Sequence, residues 1–190
     1  MTRTAVVERA VDLGSLEGLE VLSIGRLANE LGLSKSGVIG HFGSKENLQL
    51  AAVEASTRRF REEVWEPAAN EPAGLTRLTA VMDAWLSYLE REVFPGGCFL
   101  TAASAEFDDR PGVVRDAVAA AGKRWLDVLE REITTAQGQG ELASQLSARQ
   151  LAFQLHAYVL QGNWAKQLFR QPESLANSRV AIARLLGEGS

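Results

Sequence analysis

The sequence predicts an all-α protein of about nine helices, in which an N-terminal three-helix helix-turn-helix domain is followed by a larger C-terminal helical bundle. Apolar residues recur at helical spacing along most of the chain, whereas strand signals are weak throughout. Clusters of Gly and Pro interrupt the periodic runs at short intervals. With 190 residues, of which 46% are hydrophobic, the chain is long enough to bury a substantial core.

Apolar stripes and capping residues define the first four helices. A first helix is expected before residues 14–18, and a second begins after the N-cap Ser23 and stops at Gly32. Ser34 and Ser44 are the predicted N-caps of the next two helices. These two helices are expected at about residues 35–41 and 45–65, the second ending before Pro67.

The segment AANEPAG, residues 68–74, interrupts the helical pattern and precedes a run of longer helices. We expect an N-terminal domain over residues 1–47 and a larger C-terminal domain over residues 48–190. The helix at about 45–65 links them. The later helices are expected at about 73–92, 98–107, 111–138, 147–169 and 172–187.

The charge of the chain is unevenly distributed. The net charge is −4, but residues 22–61 hold six Lys or Arg and three Glu, which leaves about −7 on the remainder. A phosphate-facing module on an acidic body has this asymmetry. A chance distribution of solvated surface charge has it too, so charge alone leaves both interpretations open.

Two glycines, Gly37 and Gly40, lie three residues apart in the short third helix, although glycine costs a helix about 1 kcal/mol relative to alanine. The second and third helices, joined by Gly32-Leu33-Ser34, form a predicted helix-turn-helix, whose second helix enters the major groove in DNA-binding examples. Glycines on its outer face allow a close backbone approach to DNA. Lys35 and Ser36 are candidate donors to bases or phosphates. Spacing alone leaves a purely structural helix pair open.

Residues 24–54, IGRLANELGLSKSGVIGHFGSKENLQLAAVE, resemble the DNA-binding domain of the TetR family of one-component bacterial repressors. The order GLSKS…HFGSKE carries the resemblance, together with Ile24, Val38, Phe42 and Leu48. The resemblance implies a ligand-responsive transcriptional regulator, a repressor that binds a palindromic operator as a homodimer. It also implies that residues 1–47 form the DNA-binding domain and residues 48–190 the ligand-binding and dimerisation domain. The residues assigned to DNA binding are Ser23, Lys35, Ser36, Gly37, Ile39, Gly40, His41 and Lys45.

The chain departs from the family pattern at Ile39, where the family commonly has a tyrosine that contacts a DNA phosphate. Ile39 cannot form that hydrogen bond, and Gly40 removes a side chain that often touches DNA. Either Lys35, Ser36 and His41 carry recognition with a closer backbone approach, or affinity is lower than usual. The departure also sustains an alternative function, a helical small-molecule-binding protein or adaptor that has lost specific operator recognition.

The C-terminal half is expected to contain a ligand pocket and a dimer interface. The resemblance implies a homodimer through the helices at 147–169 and 172–187, and apolar stripes on both agree, although a monomer core has the same pattern. Aromatic residues concentrate in this half and are candidates to line a pocket for a small apolar or amphipathic ligand, although core packing is the better explanation for any one of them. The candidates are Met82, Trp85, Tyr88, Cys98, Phe99, Phe107, Trp125, Phe153 and His156.

Enzymatic and membrane functions find little support in the sequence. No HExxH, GxSxG, P-loop or dinucleotide-binding pattern occurs, and a single cysteine leaves no zinc-site spacing. Glu106, Asp108 and Asp109 offer three carboxylates, but the segment Asp108-Asp109-Arg110-Pro111-Gly112 is explained first by turn and helix-cap chemistry. We expect no catalysis, no metal, and no cofactor other than an unknown small-molecule effector. The chain has no apolar run of membrane-spanning length and no secretory signal, so we expect a cytoplasmic protein.

Overall fold

The computed structural model describes residues 3–143 and 145–187, and within that part of the chain it contains nine α-helices and no β-strand. The predicted all-α class is therefore confirmed. The helices are α1 (Arg3–Glu17), α2 (Ile24–Leu31), α3 (Lys35–Phe42), α4 (Lys45–Phe60), α5 (Leu75–Glu90), α6 (Phe99–Phe107), α7 (Val113–Gly138), α8 (Ala148–Phe169) and α9 (Glu173–Leu185).

The end of α4 has a geometry that the sequence pattern does not reveal. The α-helix ends at Phe60 and continues as a π-helical turn over Arg61–Trp65. A 3₁₀ turn over Glu66–Ala68 follows, with Pro67 in its first turn, where the missing N–H of proline has no helical partner to lose. The predicted end of the helix near residue 65 coincides with the end of the π-helical turn.

The chain divides into two compact units. The first unit combines the residues up to Arg59 with Phe94–Gly122, and the second combines Phe60–Val93 with the residues from Lys123 onward. The helix α6 therefore belongs to the same unit as the helix-turn-helix. Helical periodicity describes only residues within a few turns of one helix. It therefore does not predict that α6 associates with the helix-turn-helix. The sequence-based boundary after residue 47 stays a prediction.

In the first unit, α6 is fastened to the end of α1 and to the loop that follows it. The Glu106 carboxylate accepts hydrogen bonds from the backbone N–H groups of Leu19, at 2.6 Å, and Glu20, at 3.0 Å. Gly14 packs against the ring of Phe99, where a Cβ atom would lie 2.9 Å from the ring. These contacts fix the start of the helix-turn-helix relative to α6.

In the second unit, α8 and α9 pack closely at Gly162. A Cβ atom at this position would collide with the Ser178 hydroxyl and would lie 3.2 Å from the Leu175 side chain. The Ser178 hydroxyl donates a hydrogen bond to the carbonyl of Tyr158 at 2.7 Å, so α9 is bonded to α8 at the same crossing. None of the described helices is both long and apolar enough to cross a membrane.

We predict that Gly162→Ala destabilises the fold by about 1–3 kcal/mol, because the added methyl group displaces the Ser178 hydroxyl and overpacks the crossing. Urea unfolding followed by circular dichroism measures the change. The matched control is Gly122→Ala in α7, where a Cβ atom meets nothing within 4 Å and alanine should stabilise the helix by up to about 1 kcal/mol. Equal effects of the two substitutions would contradict the close crossing.

Candidate nucleic-acid interface and aromatic cluster

The turn between α2 and α3 is built from a glycine and two capping serines. Gly32 has φ +65°, a left-handed conformation that glycine adopts without steric cost, and Leu33 N–H donates to the carbonyl of Ala28 at 2.8 Å. Ser34 begins α3, and its hydroxyl accepts from the N–H of Gly37 at 3.1 Å. Ser23, a predicted DNA contact, caps α2 by accepting from the N–H of Arg26 at 3.2 Å.

Two side chains of α3 point inward and fix which face is exposed. Val38 is fully buried and Phe42 is 5% exposed, as expected from their i, i+4 spacing. The opposite face is exposed, and half of its six residues are glycine or serine. It consists of Lys35, Ser36, Gly37, Ile39, Gly40 and His41.

On the exposed face of α3, no side chain projects at Gly37 or Gly40. A Cβ atom at Gly40 would meet nothing within 4 Å, and one at Gly37 would meet only the Ser34 hydroxyl, at 3.1 Å. Packing within the protein therefore does not require glycine at position 40. Ile39, which is 47% exposed, is the largest apolar group on this face. The arrangement allows another molecule to approach the helix backbone closely.

Lys35 extends from the first turn of α3 back over α2. Its Cε atom lies 3.1 Å from the position that a Cβ atom of Gly25 would occupy, so the absence of a side chain at Gly25 makes room for it. The ammonium group forms no ion pair within the described residues, and Lys35 is exposed. It is the positive charge that the α3 face offers to an anionic partner.

Lys45 forms an ion pair with a carboxylate of the same unit. Lys45, which the sequence assigns to DNA binding, is the first residue of α4, and its ammonium group donates to the Glu20 carboxylate at 2.7 Å. This hydrogen bond, the largest influence, lowers the pKa of Glu20 from its ordinary value. Sequence reasoning missed Glu20 because it lies 25 positions before Lys45, and no local pattern links the two residues.

The remaining cation of the helix-turn-helix, Arg26, is also paired internally. Its guanidinium bonds the Glu17 carboxylate of α1 and donates to Glu30 of α2 at 3.2 Å. The hydrogen bond with Glu17, followed by that with Glu30, raises the pKa of Arg26. Arg9 of α1 also pairs with Glu30, at 2.6 Å. These ion pairs hold α1 against α2.

The second unit contains a cluster of aromatic rings packed mostly edge to face. The ring centroid of Phe60 lies 5.7 Å from that of Trp85, 5.4 Å from that of Tyr88 and 4.8 Å from that of Trp125. The centroids of Trp85 and Trp125 are 5.1 Å apart. His156 of α8 lies against Trp85 at 5.5 Å. We call these five residues the aromatic cluster.

The aromatic cluster holds polar atoms without partners. The indole N–H groups of Trp85 and Trp125 are buried and have no hydrogen-bond acceptor within the described residues. Burial lowers the pKa of His156, so its imidazole is neutral at neutral pH. A buried donor without an acceptor is unfavourable, and an acceptor on a bound molecule would satisfy it.

The structure separates the predicted ligand-binding residues into two groups. Met82, Trp85 and Tyr88 are buried in the second unit, with Trp125 and His156 half-buried there. Cys98, Phe99 and Phe107 are buried in the first unit.

The structure corrects the assignment of Phe153 to the ligand pocket. Its side chain is 72% exposed on α8, so it does not line the interior of the second unit. The apolar stripe of α8 places neighbouring positions such as Leu151 and Leu155 inside, and Phe153 lies on the other face of the helix. No group of three or more His, Cys, Asp or Glu side chains within the described residues is arranged to hold a metal ion.

A capped helix-turn-helix in the first helical unit, followed by a second helical unit, is typical of helix-turn-helix DNA-binding regulators. Residues 6–52 match the family described as bacterial regulatory proteins, tetR family, and residues 74–182 match the tetracyclin repressor-like, C-terminal domain. The chain belongs to the TetR family and is a ligand-responsive DNA-binding transcriptional regulator. No curated protein matches the chain significantly in sequence.

Solved structures of TetR transcriptional regulators share the whole fold. A regulator from Chloroflexus aurantiacus J-10-FL is 26% identical, with a TM-score of 0.89 over 98% of this chain and 94% of that one. A regulator from Agrobacterium tumefaciens is 20% identical, with a TM-score of 0.85 over 95% of each chain. AibR, crystallised with isovaleryl coenzyme A and operator DNA, is 22% identical, with a TM-score of 0.77 over 96% of this chain and 97% of that one.

We predict that His156 makes the fold less stable as the pH falls below its ordinary pKa of 6.5. Below that pH the unfolded chain binds a proton that the folded protein, with its lowered pKa, does not bind. The resulting slope is at most about 1.4 kcal/mol per pH unit, and it ends once the pH falls through the folded-state pKa. Urea unfolding at a series of pH values measures it.

His156→Gln should flatten the pH dependence of stability below pH 6.5. The matched control is His41→Gln, because His41 is the only other histidine and is exposed on α3. The explanation fails if His156→Gln leaves the slope unchanged or if His41→Gln flattens it by the same amount.

Proposed function

We propose that the protein is a repressor that binds a palindromic operator as a homodimer and leaves it when a small molecule binds the second unit. The observation that carries this proposal is the exposed face of α3, where Gly37 and Gly40 leave the helix backbone accessible beside Lys35. Two copies of α3 would enter successive major grooves on one side of the duplex, about one helical turn apart. The protein would act in the cytoplasm and without catalysis.

On the α3 face, DNA binding would depend more on close approach of the helix backbone to DNA than on long side chains. Lys35 and Ser36 would donate to bases or phosphates, while the flat surface at Gly37 and Gly40 lets the helix sit deep in the groove. Ile39 offers apolar contact, for example with a thymine methyl group. Lys45 would reach a phosphate after leaving Glu20.

Exposed apolar side chains on α8 and α9 support the assignment of these helices to the homodimer interface. Large apolar groups on the surface of one chain are typical of a face that a second copy covers. The exposed side chains are Phe153, Trp164, Leu168, Phe169 and Val180.

The aromatic cluster supports a binding site for an apolar or amphipathic effector. Its rings supply apolar surface, and the indole N–H groups of Trp85 and Trp125 would donate to an oxygen of the ligand. The structure of AibR with isovaleryl coenzyme A and operator DNA is a precedent within the same fold. A ligand releases DNA only if it binds the conformation with low DNA affinity more tightly than the other.

A second candidate function is a ligand-binding protein or adaptor without specific operator recognition. Ile39 favours it, because it cannot donate the hydrogen bond that a tyrosine gives to phosphate. The two functions differ in DNA specificity. A repressor binds its operator duplex in the presence of excess random DNA, whereas a protein without operator recognition does not prefer any duplex.

We predict that Gly40→Ala stabilises the free protein by about 0.5–1 kcal/mol but weakens DNA binding by about tenfold, or about 1.4 kcal/mol. The methyl group improves helix propensity and meets no atom of the protein, but it blocks the close approach to DNA. Urea unfolding measures the first effect, and fluorescence anisotropy on a duplex selected by the wild-type protein measures the second. Gly122→Ala, on α7, is the control that should leave DNA affinity unchanged. Unchanged affinity of Gly40→Ala would show that α3 does not present this face to DNA.

We predict that Phe153→Glu converts the dimer to a monomer without unfolding it, because the side chain is exposed on the single chain and a buried charge disfavours the interface. Analytical ultracentrifugation measures the mass. Val113→Glu is the matched control, since Val113 is also an exposed apolar residue but lies in the first turn of α7. A dimer that persists in Phe153→Glu would place the interface elsewhere.

A further inference from the structure

We propose that Glu20 limits the affinity of the protein for DNA by holding Lys45 in an ion pair that a phosphate must displace. The inference rests on the proposed function, in which Lys45 contacts a phosphate at the N-terminus of α4. It assigns a role to a residue outside the helix-turn-helix motif itself. Glu20 lies in the loop between α1 and α2, and Lys45 is the first residue of α4.

Both oxygens of the Glu20 carboxylate contact side chains of the first unit. One oxygen accepts from the Lys45 ammonium group at 2.7 Å. The other accepts from the Gln49 side-chain amide at 3.3 Å and lies 3.8 Å from the Arg110 guanidinium. Gln49 also donates to the carbonyl of Leu19 at 2.9 Å, which ties α4 to the same loop. The acceptor that faces Lys45 is therefore held in place.

The backbone that carries Glu20 is fixed from a different helix. Glu106 of α6 accepts from the N–H groups of Leu19 and Glu20, at 2.6 and 3.0 Å. Gly18 precedes them with φ +96°, and a Cβ atom there would lie 2.8 Å from the Glu106 carboxylate. The carboxylate of Glu106 thus fills the space beside the loop, and Glu20 stays where it is when Lys45 moves.

The ion pair is accessible to a competing anion. The side chains of Lys45 and Glu20 are 41% and 44% exposed, so a phosphate can reach the ammonium group without opening the core. The Glu20 carboxylate is ionised at neutral pH, and the Lys45 hydrogen bond lowers its pKa further. An exposed ion pair of this type shifts an equilibrium by up to about fivefold. A dimer has two such pairs, and its affinity would shift by up to about 25-fold.

The test is Glu20→Gln, which removes the charge and keeps the size of the side chain and its contact with Gln49. Fluorescence anisotropy on a duplex that the wild-type protein selects from a random DNA pool gives the affinity. We expect Glu20→Gln to bind more tightly than the wild type, by up to about 25-fold. The gain should disappear in the Lys45→Ala background, because no ammonium group is left to release.

Glu46→Gln is the matched control for a general loss of negative charge. Glu46 lies in the first turn of α4, directly after Lys45, and forms no ion pair within the described residues. An equal gain in Glu46→Gln, or a gain in Glu20→Gln that persists without Lys45, would overturn the inference in favour of long-range repulsion. Unchanged affinity in Glu20→Gln would overturn it outright.

The same set of variants separates this inference from the function on which it rests. Lys45→Ala alone should weaken binding and reduce the slope of log affinity against log salt concentration by about one unit for each phosphate that it no longer neutralises. If Lys45→Ala binds as well as the wild type, the assigned phosphate contact is wrong. If Lys45→Ala weakens binding but Glu20→Gln does not strengthen it, the phosphate contact stands and the restraint by Glu20 is refuted.

Discussion

The turn between α2 and α3 is the constraint on which the candidate interface depends. Gly32 adopts a left-handed conformation, Ser34 caps the first turn of α3, and Val38 and Phe42 anchor the helix from below. Together they determine which residues of α3 face outward. Because these constraints are local and steric, the outer face can consist of small groups without loss of the helix, and Gly40 has no structural role within the chain.

Ion pairs within the first unit leave the candidate DNA-binding face with little available positive charge. Arg26 holds α1 against α2, and Lys45 pairs with Glu20. Lys35 is left for an anionic partner. With so few available cations, backbone approach at Gly37 and Gly40 carries more of the proposed recognition than in a helix lined with long basic side chains.

The features that depend on local chemistry could be predicted from the sequence. Ser34 and Gly32 marked the turn, and the stripes of apolar residues marked nearly every helix to within a few residues. Local patterns did not predict the π-helical turn after Phe60, nor the association of Glu106 with the loop of Glu20, which lies 86 positions away. Phe153 was misplaced for a related reason, since an aromatic residue on a helix fits both a core and an interface.

The role of α3 as a recognition helix is tested most directly by selecting duplexes from a random DNA pool with the purified protein. Fluorescence anisotropy of the selected duplexes follows, at two salt concentrations and with unlabelled competitor. We expect convergence on a palindrome whose half-sites lie about one helical turn apart, with binding that resists random competitor and weakens with salt. A pool that does not converge, or selected duplexes that bind no better than random DNA, would contradict the assignment of α3 as a recognition helix.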